Sequence, residues 1–160
     1  KIRTKSNLIT YMSRKLPNHS SLLLFYLRNL LPNNWKIIPL RDMSEASLFK
    51  TLGKSKIFLS FSSFEGIGIP PIEAALCGNR VIGYTGGGGV EYWKGKIFNK
   101  IENGEISDFG QKVLKEVREY NLSWIKKTQK DREKLVKQYS NKRELNSLNY
   151  LIKRIKILMN

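Results

Sequence analysis

Short apolar runs recur through the first hundred residues, separated by polar or glycine-bearing stretches, and their lengths and flanks predict the elements. Residues 7–12 form a β-prone run, followed by the polar segment Ser-Arg-Lys-Leu-Pro-Asn-His-Ser-Ser and then residues 22–31, apolar over a helical length. This predicts strand, loop and helix, with His19 a solvated loop residue. Residues 35–40 give a second strand, and Ser44 can cap a helix over 45–52 that Gly53 stops. Residues 56–61 give a third strand. Pro70 and Pro71 suit a first helical turn, where their missing amide hydrogens cost nothing, and Gly78 supplies a left-handed stop; the helix is predicted over 71–77. Residues 80–84 read as a fourth strand, 85–89 as a glycine-rich loop, 90–93 as one helical turn and 96–98 as a fifth strand.

Strands thus alternate with helices, and the strands are too apolar for a half-solvated sheet. The expected fold class is α/β: a Rossmann-like parallel sheet with helices on both faces. Such folds bind ligands beyond the C-terminal strand ends. The loops after the first, third and fourth strands, carrying Arg14, Glu65 and residues 86–89, would open on that edge. From about residue 107 the pattern becomes helical, with Phe109, Val113 and Val117 at spacing four, then Leu122, Trp124 and Ile125, then Leu145, Leu148, Leu151, Ile152 and Ile155, all read as packing stripes. The reading is one domain over 1–160, an α/β core to 105 and a helical C-terminal extension from 106.

A chain of 160 residues buries roughly two thirds of its unfolded surface. It begins at Lys1 without Met, so it is expected to be part of a longer polypeptide. No apolar stretch approaches the ~20 residues of a membrane span, and no signal-peptide core is present. A soluble, cytoplasmic domain is expected. The single Cys77 and single His19 allow neither an internal disulfide nor a zinc ligand set, so no metal is expected, and Cys77 reads as inert packing at a helix end.

The net charge of +16 divides as +9 over 1–60, −2 over 61–110 and +9 over 111–160. Basic flanks attract nucleic acid, anionic lipid headgroups or phosphorylated substrates without choosing among them, and a generally lysine-rich composition gives the same balance. No aromatic ribonucleoprotein motif, zinc spacing or helix-turn-helix pattern accompanies them, so no specific nucleic acid is expected. Residues 142–159 form a basic amphipathic stretch, suited to packing back on the sheet or to peripheral contact with an anionic membrane.

The acidic middle segment holds Glu65-Gly-Ile-Gly-Ile-Pro-Pro-Ile-Glu73-Ala-Ala-Leu-Cys-Gly78. Loop glutamates are usually solvated or compensate helix dipoles, and the alternative reading of Glu73 is a first-turn acid. Their setting adds to this: Gly66 and Gly68 remove side chains where backbone amides would approach a ligand, and two prolines stiffen the start of the helix. Carboxylates accept hydrogen bonds from sugar hydroxyls, and free amides at a helix start face an anion. The combination suggests a sugar nucleotide. Residues 86–89 do not make a dinucleotide fingerprint, because neither their spacing nor their position after the fourth strand fits. Tyr92 and Trp93 read as packing rather than base-stacking residues.

This run resembles the E-x7-E motif of retaining GT-B glycosyltransferases of the family 4 type, usually EGFGLP, two variable residues, then EAMACG. Here Ile67 replaces Phe, Ile69 replaces Leu, and Ala75-Leu76 replaces Met-Ala. The likeness continues through Arg80-Val-Ile-Gly-Tyr, the glycine run and Glu91. It implies the C-terminal, donor-binding half of such an enzyme, transferring a sugar with retention from a UDP- or GDP-linked donor, without metal, to an acceptor held by an N-terminal domain outside this chain. By position, Glu65 would sit beside the transferred sugar with the backbone of Gly66, Ile67 and Gly68, and Glu73 would accept the ribose hydroxyls. Arg14 matches the arginine of the family's phosphate-binding loop. The lysine that completes that clamp normally follows several residues later; here Lys15 is adjacent, and either it substitutes or the loop runs in another register. Gly87 and Gly88 would contact sugar or diphosphate through their backbone, with Glu91 in support. Catalysis would fall to Glu65 and Arg14.

Departure of the diphosphate accumulates negative charge, which cations and amide dipoles stabilise. Glycosidase carboxyls flank the scissile bond within roughly 5–10 Å, whereas eight residues spanning loop and helix let Glu65 and Glu73 diverge. Two other functions remain open on sequence grounds: a sugar-phosphate epimerase or phosphorylase of the same architecture, and a basic nucleic-acid-binding domain.

Overall fold

The computed structural model of the chain describes residues 4–158. In order these form β1 (Leu8–Tyr11), α1 (Pro17–Leu27), β2 (Lys36–Pro39), α2 (Glu45–Lys54), β3 (Ile57–Glu65), α3 (Ile69–Leu76), β4 (Arg80–Gly87), a 3-10 turn (Gly88–Glu91), β5 (Phe98–Lys100), α4 (Ile106–Glu119), α5 (Ser123–Lys127), α6 (Gln129–Gln138) and α7 (Asn141–Leu158). The five strands make one parallel sheet in the order β2-β1-β3-β4-β5. The fold is therefore Rossmann-like α/β with a C-terminal helix.

Both sheet faces are apolar, which forces cover on both sides. On one face Ile9, Tyr11, Ile57, Leu59, Phe61, Ile82 and Tyr84 pack against Leu23 and Leu27 of α1 and Phe109, Val113 and Val117 of α4. On the other, Phe58, Val81 and Phe98 meet Leu52 of α2, Ile72, Ala74 and Ala75 of α3, and Leu135 of α6. Fully burying each large aliphatic or aromatic side chain contributes about 1.5–3 kcal/mol. Arg80 joins the layers: its Nε donates to Glu116 Oε1 at 2.8 Å, and its guanidinium lies 5.0 Å from the Trp124 ring centroid.

Several elements differ from their sequence expectation. α1 begins at Pro17, within the predicted loop, because proline pre-sets the helical φ at the first turn and Ser20 Oγ closes on Pro17 O at 3.0 Å. It ends at Leu27, so 28–31 lie beyond it. β3 runs on to Glu65 and β4 to Gly87, since each supplies the other's ladder: Ser62 pairs with Thr85 and Glu65 with Gly87, with a register irregularity between Ser62 and Glu65. The predicted glycine loop at 85–89 is thus strand as far as Gly87 and a 3-10 turn from Gly88. β5 is Phe98–Lys100, displaced from the predicted 96–98.

Phe109, Val113, Val117 and Trp124 are buried as expected, whereas Leu122 is exposed. In α7, Leu145, Leu148, Leu151 and Ile152 are also exposed, so they do not pack on the sheet. The side chain of Ile155 lies outside the described residues. Among the described residues no helix is long and apolar enough to cross a membrane.

Candidate functional site

The chain moves outward from β1 to the edge strand β2, then crosses back to β3, so the strand order reverses between β1 and β3. Loops leaving neighbouring strands in opposite directions open a crevice at the C-terminal edge, where α/β folds hold their ligands. The β1–α1 loop carries Arg14 and Lys15; the end of β3 carries Glu65.

These two loops meet. Lys15 Nζ forms an ion pair with Glu65 Oε1, and Ser62 Oγ donates to Glu65 Oε2 at 3.3 Å. The Glu65 side chain is 17% exposed against 46% for Lys15, so the carboxylate is held by the strand end while the lysine reaches it from the rim. Arg14 is exposed and adjacent in the chain, with no ion pair among the described residues. Between this loop and α1, Leu16 adopts φ 40°, ψ 65°, a left-handed conformation that costs a non-glycine residue about 1–2 kcal/mol. Its side chain packs on the core below, which offsets the strain.

The glycines divide by what surrounds them. Gly68, the residue before α3, has φ 69° and its carbonyl accepts a hydrogen bond from Tyr92 Oη at 2.8 Å. Gly88 lies against the β3–α3 loop so closely that an added Cβ would stand 1.9 Å from Gly66 O and 2.7 Å from Glu65 O. Gly66 and Gly87 are different: a Cβ at either would meet nothing within 4 Å. Gly66 has no left-handed φ either, so neither the packing nor the backbone of the chain accounts for a glycine there. The open sides of Gly66 and Gly87 flank Glu65, which pairs with Gly87 across the sheet.

Neither α1 nor α3 has a side-chain cap at its N-terminus. The amides of Ile67 and Gly68, and of Asn18 and His19 at the start of α1, have no backbone acceptor among the described residues. Each is an available donor beside the Lys15–Glu65 pair or one turn from it. Apolar side chains rim this edge: Phe64, Ile67, Ile69 and Val90 are exposed, Phe64 at 92%.

Glu73 is not in the first turn of α3, which starts at Ile69 and has no acidic residue there. Compensation of the helix dipole therefore does not explain it. Its half-buried carboxylate makes no hydrogen bond or salt bridge among the described residues. Burial pushes its pKa above the ordinary 4.5, and the charge of Glu45 at the start of α2 raises it further. A carboxylate destabilised by dehydration and by a neighbouring acid is an acceptor in want of neutral donors.

Glu91 turns to the far side, where Tyr139 Oη donates to its Oε1 at 2.6 Å. Burial and that bond hold the Tyr139 hydroxyl well above its usual pKa. The structure thus joins Lys15, Glu65 and the glycine backbones directly, leaves Glu73 on the neighbouring helix, and gives Glu91 a partner in the helical extension.

Two contacts were not legible in the sequence. His19 is half-buried in α1, not a solvated loop residue, with Nδ1 3.1 Å from Tyr84 Oη and its ring edge-on to that of Tyr84 at 5.6 Å. Tyr92 is buried as expected, but its hydroxyl also fixes the Gly68 carbonyl, and burial raises its pKa to about 12, keeping it a neutral donor. Only the helical register of 17–27 would have brought His19 onto the sheet. Cys77 is a half-buried thiol whose pKa is raised by burial.

Chemically, the site offers a cation that can take a phosphate oxygen, carboxylates that can accept hydrogen bonds from hydroxyls, and amides that have no backbone acceptor among the described residues and can face an anion. No group of three or more His, Cys, Asp or Glu among the described residues converges as a metal site. Among known proteins, no family model matches the chain, and no curated sequence matches it.

Proposed function

We propose that this chain is the donor-binding domain of a retaining glycosyltransferase, acting on a sugar linked to a nucleoside diphosphate without a metal ion. The observation that carries the reading is the meeting of Lys15 and Glu65 at the strand-order reversal, beside loop and helix amides with no backbone acceptor among the described residues. In this reading the diphosphate takes Lys15 and Arg14 together with the amides at the start of α1, and the transferred sugar lies over the open sides of Gly66 and Gly87. Glu65 accepts from a sugar hydroxyl. Glu73, without a hydrogen-bond or ion-pair partner among the described residues, accepts from the ribose. Glu91, engaged by Tyr139, supports the turn at Gly88 from outside.

The residues here stabilise the leaving diphosphate, whose charge grows as the sugar becomes oxocarbenium-like. The acceptor would be presented by a second domain, and the exposed rim of Phe64, Ile67, Ile69 and Val90 is the surface such a domain would cover. On its own the chain binds donor weakly and turns over poorly.

Calorimetry with UDP, GDP and their sugar conjugates tests the reading. Binding of at least one conjugate, weakened about tenfold or more by Glu73→Ala, is expected; two lost hydroxyl bonds to a charged acceptor are worth that much. Absence of binding by all of them, or undiminished binding by the variant, would refute it.

A further inference from the structure

The Lys15–Glu65 ion pair joins the two groups that the proposed reading assigns to different parts of the donor, one to the diphosphate and one to the sugar. In the unliganded site each therefore occupies the other's binding position. We infer that this pair makes the site discriminate between the sugar-loaded nucleotide and the sugar-free nucleoside diphosphate; the inference rests on the donor-site reading above.

The argument is one of charge. A nucleoside diphosphate ends in a terminal phosphate, held by a single anhydride bond, that carries up to two negative charges near neutral pH. To take Lys15 it must strip the lysine from Glu65, leaving a carboxylate that is 17% exposed facing that terminal phosphate without a counter-charge. Ser62 Oγ, at 3.3 Å, is the other donor to Glu65 among the described residues, and it is neutral. In the sugar-loaded donor the same phosphate is also esterified to the sugar and keeps one charge, and the sugar brings neutral hydroxyls. These repay Glu65 for the lysine it gives up.

After transfer the leaving nucleotide regains the extra charge, and re-formation of the pair favours its release. The open space over Gly66 and Gly87 beside Glu65 leaves room for the sugar on which this exchange depends.

The test compares UDP, GDP and ADP with UDP-glucose, GDP-glucose and ADP-glucose by calorimetry, on the wild-type chain, Glu65→Gln and Lys15→Met. Glu65→Gln removes the charge and keeps the shape. It is expected to tighten binding of the sugar-free nucleotide by about three- to tenfold, a range set by the partial exposure of the pair, and to weaken binding of its glucose conjugate. Lys15→Met is expected to weaken both, the sugar-free form more. Unchanged or weaker binding of the sugar-free nucleotide by Glu65→Gln, with the wild type binding it, overturns the inference and leaves the donor site standing. Failure of every nucleotide to bind the wild type removes the donor site and the inference with it. Thermal denaturation of each variant confirms that the fold is intact.

Discussion

At the scale of single residues, Gly66 and Glu73 are the positions whose presence the fold does not explain. An alanine at Gly66 would touch nothing within 4 Å and would need no left-handed backbone. Gly66→Ala is therefore expected to leave thermal stability within about 0.5 kcal/mol of wild type, as for a surface change, while reducing donor affinity severalfold by standing where the sugar approaches. Equal loss of stability and binding would return Gly66 to a structural role.

Glu73 gives the opposite signature. Its folded pKa lies above 4.5 because of burial first and Glu45 second. The native state therefore binds more protons than the unfolded chain between 4.5 and the raised value, and stability falls as pH climbs through that window. Below it the penalty is absent; above it the penalty is constant. Glu73→Gln should thus raise the urea midpoint at pH 7, remove this fall with pH, and weaken donor binding. A group that costs stability and supports binding is what a ligand contact predicts. The sequence exposed Glu65 and Glu73 through their spacing around two glycines, but not that Lys15 would pair with one while the other has no hydrogen-bond or ion-pair partner among the described residues. Such pairing is decided by where two loops distant in the chain come together.

At the scale of elements, the sequence located all five strands and misjudged their ends. β3 and β4 outrun their apolar cores because each continues the other's ladder out to Glu65 and Gly87, and hydropathy does not report a partner's length. The glycines of β4 read as a loop for the same reason. One of them, Gly83, is required by the fold: it has φ 137°, and a Cβ there would stand 2.1 Å from Ser60 O and 2.9 Å from Phe109 Cζ. Gly83→Ala should separate β3 from β4 or lift α4, lowering stability by roughly 3 kcal/mol or more and Tm by roughly 6–12 °C. Calorimetric unfolding checks this, and an unchanged Tm would mean that the strands part without cost. α1 was mislocated because its first turns are polar; Pro17 and the burial of Leu23 and Leu27 decide its register.

At the scale of the whole molecule, the sheet order places the basic loop after β1 and the acidic end of β3 against each other, although 50 residues separate them. The alternation of strands and helices made the Rossmann-like architecture legible, and the rule that ligands lie beyond the C-terminal strand ends directed attention to the edge where Lys15 meets Glu65. The exposed face of α7 was not legible. An apolar stripe in a sequence carries no mark of whether anything lies against it, and here Leu145, Leu148, Leu151 and Ile152 are left uncovered.

The central claim is that Glu65 and Glu73 serve opposite ends of one donor. A crystal structure of the chain with a bound nucleotide sugar tests this most directly. The account predicts the diphosphate beside Lys15 and the start of α1, a sugar hydroxyl on Glu65, and a ribose hydroxyl within roughly 2.5–3.0 Å of the Glu73 carboxylate. A nucleotide bound with its ribose away from Glu73, or with its sugar away from Glu65, would contradict it.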